Sequence, residues 1–463
     1  MSVRSLKENL TAFGLRRVLS YLDSNPDENI PRMIDWAERF NPEGVMTVRL
    51  QAVKNGLKNT EGNWYRLAKG LWTDIDSGVR KKMFENFVVN ATAIGSARQK
   101  KLRDMYQCNI PWAFLIDPTS ACNLRCKGCW AAEYGHELSM DFELLDDIIR
   151  QGKELGVYFY LFSGGEPLMR KDDIVRLCSK HNDCVFLAFT NATLIDEEFA
   201  DAMLEVKNFV PAISVEGFEK ETDARRGKGS YAAMMKAMKI LQERKLPFGF
   251  STCYTSENVD VVSSERYFDE MIERGCIFGW FFTYIPVGVG AVPELMVSDK
   301  QRAHMYRKIR AFRQTKPLFT MDFWNDAEYV GGCIAGGRRY MHINANGDIE
   351  PCAFIHYADV NIHTHSIMEA LKSPLFREFH QHQPFNANHL CPCPLLDNPD
   401  SLMHVVEEAK AFSTEILHKE PVEALCSKCF ETARRWGITA DHLWAESKKS
   451  LQQTRQHSAF GKT

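Results

Sequence analysis

Three cysteines lie close together in the segment "CNLRCKGC", at Cys122, Cys126 and Cys129. Thiols at this spacing suit half of a disulfide framework, a zinc site, or three ligands of an iron–sulfur cluster with one iron left open. A structural zinc site takes four protein ligands. The nearest further candidates are Cys108 and His136, which lie outside the segment, so a three-ligand site with an open position is predicted.

Six more cysteines occur in the last third of the chain. Cys333 and Cys352 flank a predicted hairpin, in which "RYMHIN" and "DIEPCAF" are short strands and the Asn346-Gly347 pair favours the positive φ of a tight turn. The other four lie in the segments "LCPCP" and "LCSKC": Cys391, Cys393, Cys426 and Cys429.

A further four cysteines stand among apolar neighbours in predicted helices or strands, and we expect them to fill the core as small hydrophobic side chains. They are Cys178, Cys184, Cys253 and Cys276.

The composition is that of a globular chain of 463 residues, 45% hydrophobic and 25% charged, which predicts two or three domains. There is no apolar run of eighteen or more residues, and the N-terminus lacks the order of a signal peptide, so we expect a cytoplasmic protein. Thiols of a large cytosolic chain stay reduced, which removes the disulfide alternative. A net charge of −3 gives no argument for a nucleic-acid partner.

The elements that position the first cysteines alternate between strand and helix. From Trp112 to Pro286, amphipathic helical stretches separate six short apolar runs: "WAFLID", "VYFYLFSGG", "CVFLAFTN", "FVPAISVEG", "PFGFSTCY" and "FGWFFTYIP". Buried parallel strands are continuously apolar in this way, so the segment predicts an α/β fold, a right-handed partial (β/α)6 barrel. The polar motifs follow the C-terminal ends of these strands, the face on which α/β barrels build their sites.

We therefore predict three parts: a helical N-terminal region (1–108), the partial barrel (109–296), and a C-terminal part with the hairpin and a helical tail (297–463). The N-terminal helices include "SLKENLTAFGLRRVLSYL" and "NIPRMIDWAERF", whose apolar residues recur at three- and four-residue steps.

The segment "CNLRCKGCW" resembles the signature of the radical S-adenosylmethionine (SAM) superfamily, and the similarity extends over residues 110–290. The resemblance implies that Cys122, Cys126 and Cys129 hold a 4Fe-4S cluster whose open iron binds the methionine moiety of SAM. "SGGEP" resembles the second superfamily motif, whose backbone meets the methionyl amino group. The residues implied to contact SAM are Gly164, Gly165, Glu166, Pro167, Asn191, Ser214, Glu216 and Arg226.

Within that set, "ARRGKGSY" resembles the segment that brings an arginine to the methionyl carboxylate, and Arg226 is the first choice. On an extended segment, the neighbouring Arg225 is expected to point the other way. "YIPVGVG", after the sixth strand, resembles the segment whose backbone meets the adenine.

The C-terminal cysteines and hairpin are similar to the auxiliary-cluster domains of radical SAM enzymes, known as SPASM and twitch domains. The full SPASM pattern uses seven cysteines for two clusters, whereas this part has six, so the resemblance implies one auxiliary 4Fe-4S cluster. Cys333 and Cys352 are its first ligands, with two more from Cys391, Cys393, Cys426 and Cys429. The alternative is a zinc ribbon.

The resemblance implies an enzyme that cleaves SAM reductively and abstracts hydrogen from an unactivated C–H bond, with a flavodoxin or ferredoxin as electron donor. Its substrate is expected to be a peptide or protein. A lipid or other apolar small molecule is the alternative, and the amphipathic N-terminal helix could then rest on a membrane surface, although packing is its simpler role. A non-catalytic iron–sulfur electron carrier is the third hypothesis.

Overall fold

The computed structural model describes residues 6–30, 32 and 56–460. At its centre is a sheet of nine strands in the order β7-β6-β5-β4-β3-β2-β1-β8-β9, and two further strands, β10 and β11, pair with each other. The strands are β1 Ala113–Ile116, β2 Phe159–Phe162, β3 Val185–Thr190, β4 Phe209–Ser214, β5 Gly249–Tyr254, β6 Phe278–Thr283, β7 Phe319–Asp322, β8 Tyr340–Ile343, β9 Ile349–Glu350, β10 Tyr357–Ala358 and β11 Phe412–Ser413.

Strands β1 to β7 pair in parallel, each with the next, and helices connect them across one face of the sheet. This confirms the predicted α/β partial barrel. The number of strands is corrected, because β7 extends the sheet beyond β6 and β8 pairs in parallel with β1. Pairing between β1 and β8 joins segments more than two hundred residues apart, which local sequence patterns do not reveal.

The helices before the sheet are α1 Leu6–Ser24, α2 Asn63–Thr73, α3 Ser77–Met83, α4 Phe84–Gly95, which is π-helical, and α5 Ser96–Tyr106. The helices between strands are α6 Phe142–Glu154, α7 Lys171–Lys180, α8 Glu197–Val206, α9 Glu219–Arg226, α10 Ser230–Glu243, α11 Val259–Val262, α12 Glu265–Glu273 and α13 Asp299–Thr315. The remaining helices are α14 Ala327–Val330, α15 Ile367–Ala370, α16 Pro374–His382, α17 Pro399–Glu408, α18 Val422–Ser427 and α19 Phe430–Phe460, and 3-10 turns span Ala132–Tyr134, Pro167–Arg170 and Pro293–Leu295.

Side-chain caps define where several of these helices begin. Asp141 accepts from the backbone N–H of Leu144 at the start of α6, and Asp196 accepts from that of Phe199 at the start of α8. These caps satisfy N–H groups that have no partner inside the helix.

The sheet separates two apolar layers. Alternate residues such as Phe114 and Phe281 pack with the surrounding helices, whereas Leu115 and Leu187 face the opposite side and pack with the C-terminal half of the chain. The C-terminal part therefore covers the inner face of the barrel.

The predicted hairpin is confirmed. β8 and β9 are antiparallel, and Gly347 in the turn between them has a φ of 85°. A left-handed backbone at this position explains the glycine.

In the described part of the N-terminal region, α1 packs through Val18 and Leu22 against Leu57 and Tyr65. This supports a packed helix. Most of "NIPRMIDWAERF" lies outside the described residues. Among the described helices, none is long and apolar enough to span a bilayer.

Candidate functional site

The loop with the first three cysteines follows β1 and rests on the glycine loop that follows β2. The backbone N–H of Gly165 donates to the carbonyl of Thr119 at 3.0 Å, and that of Glu166 donates to the carbonyl of Ala121 at 2.8 Å. A Cβ at Gly165 would stand 2.2 Å from the Ala121 oxygen, which no side chain tolerates. The glycine is therefore needed for close approach between the two loops.

Glu166 is buried and joins the loop after β2 to the end of β3. Its carboxylate accepts from the hydroxyl of Thr190 at 2.6 Å, and from the backbone N–H groups of Asn191 at 2.7 Å and Leu168 at 3.0 Å. Burial raises the pKa of this carboxyl, although the three donors oppose that effect. Pro167 follows as the first residue of a 3-10 turn.

Asn191 extends the network to the cysteine loop. Its side-chain amide donates to the Asn123 oxygen at 2.8 Å, and its own oxygen accepts from the backbone and the hydroxyl of Thr193. Asn123 lies directly after Cys122. The structure thus brings the predicted residues that follow β1, β2 and β3 into one hydrogen-bonded edge.

Glu216, which follows β4, is fully buried and binds two arginines. Its Oε1 accepts from Arg225 at 2.6 Å and from Nε of Arg226 at 2.9 Å, while its Oε2 accepts from the backbone N–H of Cys253 at 3.1 Å. Nη1 of Arg226 also lies 3.9 Å from Sγ of Cys126. Burial opposes the charge of both guanidinium groups, but Glu216 and the nearby thiols outweigh it and raise their pKa values.

The expected separation of Arg225 and Arg226 is wrong. The segment is the last turn of α9 and not an extended strand, and both side chains turn toward the same carboxylate. The assignment of Arg226 to a SAM carboxylate stays a prediction.

Two residues of β4 and β5 complete this edge. Ser214 and Ser251 place their hydroxyls 3.2 Å apart. Cys253 was expected in the core, but its side chain is only half-buried and it lies beside Arg225, which lowers its pKa against the larger effect of burial. The position of Cys253 near the C-terminal end of a strand, where the other polar motifs occur, could have indicated that it lies at the site and not in the core.

Cys122, Cys126 and Cys129 are free and half-buried. Burial raises the pKa of Cys122 to about 11 and also raises that of Cys129, while Arg225 and Arg226 lower the latter. Three thiols beside two guanidinium groups form a donor set that fits a metal cluster carrying negative charge.

The spacing of the thiols also bears on the zinc alternative. Four thiolates around one zinc ion, each about 2.3 Å from it, stand about 3.8 Å apart. Within the described ranges, the one group of three potential ligands whose atoms lie within 4.8 Å of one another is Glu378, His382 and His404, at a different place. The zinc alternative therefore gains no support from this spacing in the described residues.

The C-terminal cysteines gather on the inner side of the barrel. Cys352, Cys393, Cys426 and Cys429 are buried in one apolar cluster, against which the half-buried Cys333 packs. Cys393 is close enough to Cys333 and Cys352 for their charges to raise its pKa, and Cys426 does the same to Cys429. Burial is the main cause in each case.

Cys391 lies apart from this gathering. It packs in a separate apolar cluster with Tyr306, Trp436 and Leu443, and its charged neighbours are Asp397, Arg302 and Asp441. The two cysteines of "LCPCP" thus pack in different apolar clusters, although both lie beside Asp397. The structure favours Cys393 over Cys391 as a ligand beside Cys333 and Cys352.

The sequence did not predict a buried charged bridge between the two cysteine regions. Nε2 of His342 in β8 lies 2.9 Å from Asp117, directly after β1, and its Nδ1 lies 2.6 Å from Glu350 in β9. Burial lowers the pKa of His342, but the two carboxylates overcome this and raise it to about 10. Tyr134, just beyond the cysteine loop, donates its hydroxyl to Glu350 at 2.8 Å. The sequence feature that could have indicated this bridge is the presence of polar residues, His342 and Glu350, inside the apolar strands of the hairpin.

Comparison with known proteins gives one family match for each of the two cysteine regions. Residues 116–264 match the model of the Radical SAM superfamily, and residues 333–394 match that of an iron-sulfur cluster-binding domain, SPASM. The two matched segments contain the cysteine loop and the hairpin, respectively.

Individual relatives match over part of the chain. The Fe-coproporphyrin III synthase of Methanosarcina barkeri is 31% identical over 35% of this chain and 42% of its own length. The PqqA peptide cyclase of Streptomyces rochei is 25% identical over 60% of this chain and 78% of its own. The chain spans 33% to 58% of the length of three relatives with which its identity is 29% to 37%.

Among solved structures, Streptococcus suis SuiB bound to precursor peptide SuiA superposes with a TM-score of 0.54 at 17% identity, over 71% of this chain and 80% of that one. At this identity the likeness establishes the fold.

Proposed function

We propose that the chain is an enzyme that cleaves SAM reductively and abstracts hydrogen from an unactivated C–H bond, because residues 116–264 match the model of the Radical SAM superfamily and residues 333–394 match that of an iron-sulfur cluster-binding domain. The observation that carries this proposal is the loop of Cys122, Cys126 and Cys129. It presents three free, half-buried thiols at the C-terminal edge of the sheet, with Arg225 and Arg226 beside them.

A reduced iron–sulfur cluster held by Cys122, Cys126 and Cys129 would supply the electron for cleavage of a carbon–sulfur bond of SAM to the 5′-deoxyadenosyl radical and methionine. The chain's own residues would hold the cluster and orient SAM. The three thiolates would be the protein ligands of that cluster, and Nη1 of Arg226, which lies 3.9 Å from Sγ of Cys126, is placed to donate to a carboxylate while Nε of the same side chain binds Glu216. Glu166 and Asn191 fix the loops around that position.

The second centre is proposed at Cys333, Cys352 and Cys393, with Cys426 and Cys429, which are buried in the same apolar cluster, as candidate further ligands. Its apolar surroundings exclude water, which suits a centre that passes electrons without reacting with solvent.

A peptide is the proposed substrate. The supporting observation is the similarity to a PqqA peptide cyclase, which covers 78% of that relative. A second candidate substrate is an apolar small molecule, and the apolar inner face of the barrel favours it.

The test of the proposed activity is to reconstitute the protein with iron and sulfide, reduce it, add SAM and measure 5′-deoxyadenosine. Cys126→Ala should abolish its formation while leaving the fold intact. Cys178→Ala, which removes a fully buried thiol of α7, is the control and should retain it. Cleavage at the parent rate by Cys126→Ala would refute the ligand assignment, and no cleavage by the parent would favour the electron-carrier hypothesis.

A further inference from the structure

Strand β6 alternates in burial along its length. Gly279, Phe281 and Thr283 are buried, whereas Phe278, Trp280 and Phe282 are half-buried. Since successive side chains of a strand point to opposite faces, the half-buried set shares one face. Phe281 packs with the helices, so Trp280 and Phe282 face the inside of the barrel.

Six half-buried rings form a continuous aromatic wall on this inner side: Phe189, Trp280, Phe282, Phe323, Phe354 and Trp130. The centroid of Phe189 lies 5.2 Å from that of Trp280 and 5.6 Å from that of Phe282. Phe282 in turn lies 5.4 Å from Phe323 and 6.5 Å from Phe354, which is 5.8 Å from Trp130.

The wall connects the two cysteine regions. Trp130 directly follows Cys129, and Phe354 lies two residues after Cys352. A molecule held against the wall therefore lies between the proposed SAM site and the proposed second centre.

One polar group in the wall has no partner. The indole Nε1 of Trp280 is buried and makes no hydrogen bond within the described structure. An indole N–H can only donate, and leaving a buried donor unpaired is costly. An acceptor atom of a bound molecule would satisfy this donor once a neighbouring ring of the wall moves aside, because the nitrogen has almost no exposed surface.

We propose that the aromatic wall binds a planar aromatic ring of the substrate, which also offers an acceptor to Trp280. This inference rests on the proposed function, because it names the substrate class of the same site. Edge-to-face and offset contacts between rings add attraction beyond that of buried area. An alkyl chain gains none of these contacts between rings.

The ring can come from a peptide side chain or from a planar small molecule, and the test has one arm for each. Calorimetric titration of the reconstituted protein would use a heptapeptide with one central tyrosine, metal-free coproporphyrin III, and dodecanoate as the aliphatic probe. We expect one aromatic probe to bind with one molecule per chain and more tightly than dodecanoate. The probe that binds identifies the source.

Variants of β6 provide matched controls. Trp280→Leu and Phe282→Leu should each weaken binding at least tenfold, and Trp280→Phe, which keeps a ring but removes the N–H, should weaken it less. Phe281→Leu, on the opposite face of the strand, should bind like the parent, and circular dichroism would verify that each variant is folded. Tighter binding of dodecanoate, no binding of either aromatic probe, or equal weakening by Phe281→Leu would overturn the proposal.

Measurement of 5′-deoxyadenosine on the same preparations separates the two proposals. Cleavage of SAM without aromatic binding would refute the aromatic wall alone. Aromatic binding that depends on Trp280, without SAM cleavage, would refute the proposed function and leave the binding site standing.

Discussion

The loop cysteines and the C-terminal cysteines differ first in burial. The three loop thiols are half-buried on an irregular segment, whereas four of the C-terminal thiols are at most 8% exposed inside an apolar cluster: Cys352, Cys393, Cys426 and Cys429. A half-buried group leaves room for a small molecule to reach the metal. A sealed group suits a centre that keeps solvent and ligands away.

The two regions also differ in charge. Arg225 and Arg226 lower the pKa of Cys129, whereas Asp397 raises the pKa values of Cys393 and Cys429. In the loop, the two guanidinium groups therefore offset part of the rise in pKa that burial causes, and they can attract an anionic group such as a carboxylate. The C-terminal site depends on the metal itself to displace the thiol protons.

The largest expected effect separates the two regions by metal content. Replacing Cys122, Cys126 and Cys129 together with alanine should reduce 5′-deoxyadenosine formation by more than about a thousandfold, because the ligands of the catalytic cluster are gone. The variant should still contain about four iron and four sulfide per chain, held by the C-terminal cysteines. Metal and sulfide analysis after reconstitution measures this.

A triple variant at Cys333, Cys352 and Cys393 is the reciprocal control and should keep the loop cluster. Zinc in place of iron in the loop variant would restore the zinc-ribbon alternative for the C-terminal part.

The next effect concerns the arginine pair that only the loop region has. Glu216→Gln should lower the free energy of unfolding by about 3 kcal/mol, because it leaves two guanidinium groups without their carboxylate. The value is at the lower end for a buried pair, since the arginine side chains keep 14% and 15% of their exposure. Urea denaturation gives the measurement.

Glu219→Gln, an exposed carboxylate at the start of the same helix, should change stability by less than about 0.5 kcal/mol. Equal losses in the free energy of unfolding in the two variants would mean that pairing of Glu216 with the two arginines does not stabilise the fold.

His342 links the two regions, and its effect should depend on pH. Its pKa of about 10 in the folded chain exceeds the ordinary 6.5. The bridge therefore stabilises fully below pH 6.5, and this stability is lost as pH rises toward 10. Between pH 7 and 9 the free energy of unfolding should fall by up to about 2.7 kcal/mol more in the parent than in His342→Gln. Chemical denaturation across this range measures it, and parallel pH profiles would contradict the bridge.

The smallest effect tests the roles of the two neighbouring arginines. Arg226→Lys should weaken SAM binding by about 1.5–3 kcal/mol, or ten- to a hundredfold, because one ammonium nitrogen replaces the separate Nε and Nη1 donors that face Glu216 and the cysteine loop. Titration with SAM, followed by paramagnetic resonance of the cluster, gives the affinity.

Arg225→Lys is a matched control, since both side chains bind Glu216 but only Arg226 has been assigned to SAM. A similar loss in both variants would show that the effect passes through Glu216, and a loss in Arg225→Lys alone would move the role one residue along.

Local patterns were enough to predict the barrel and the order of its motifs. Continuous apolar runs such as "FYLF" marked strands buried on both faces, and the polar residues after them marked the edge where Glu166 and Asn191 meet. The local patterns did not predict contacts between segments that are distant in the chain. Asp117 and His342 are 225 residues apart, and neither is unusual in its local context.

The sequence by itself determined the residue types of the predicted ligands, their spacing on the first loop, and the strand and helix pattern that places this loop at one edge of the sheet. These features depend on neighbouring residues and on periods of two and about 3.6. The tertiary structure decided which C-terminal cysteines come together, that Arg225 and Arg226 share Glu216, and that His342 joins β1 to the hairpin. Burial and charge pairing between distant segments depend on how the whole chain packs, so no local stretch of the sequence predicts them.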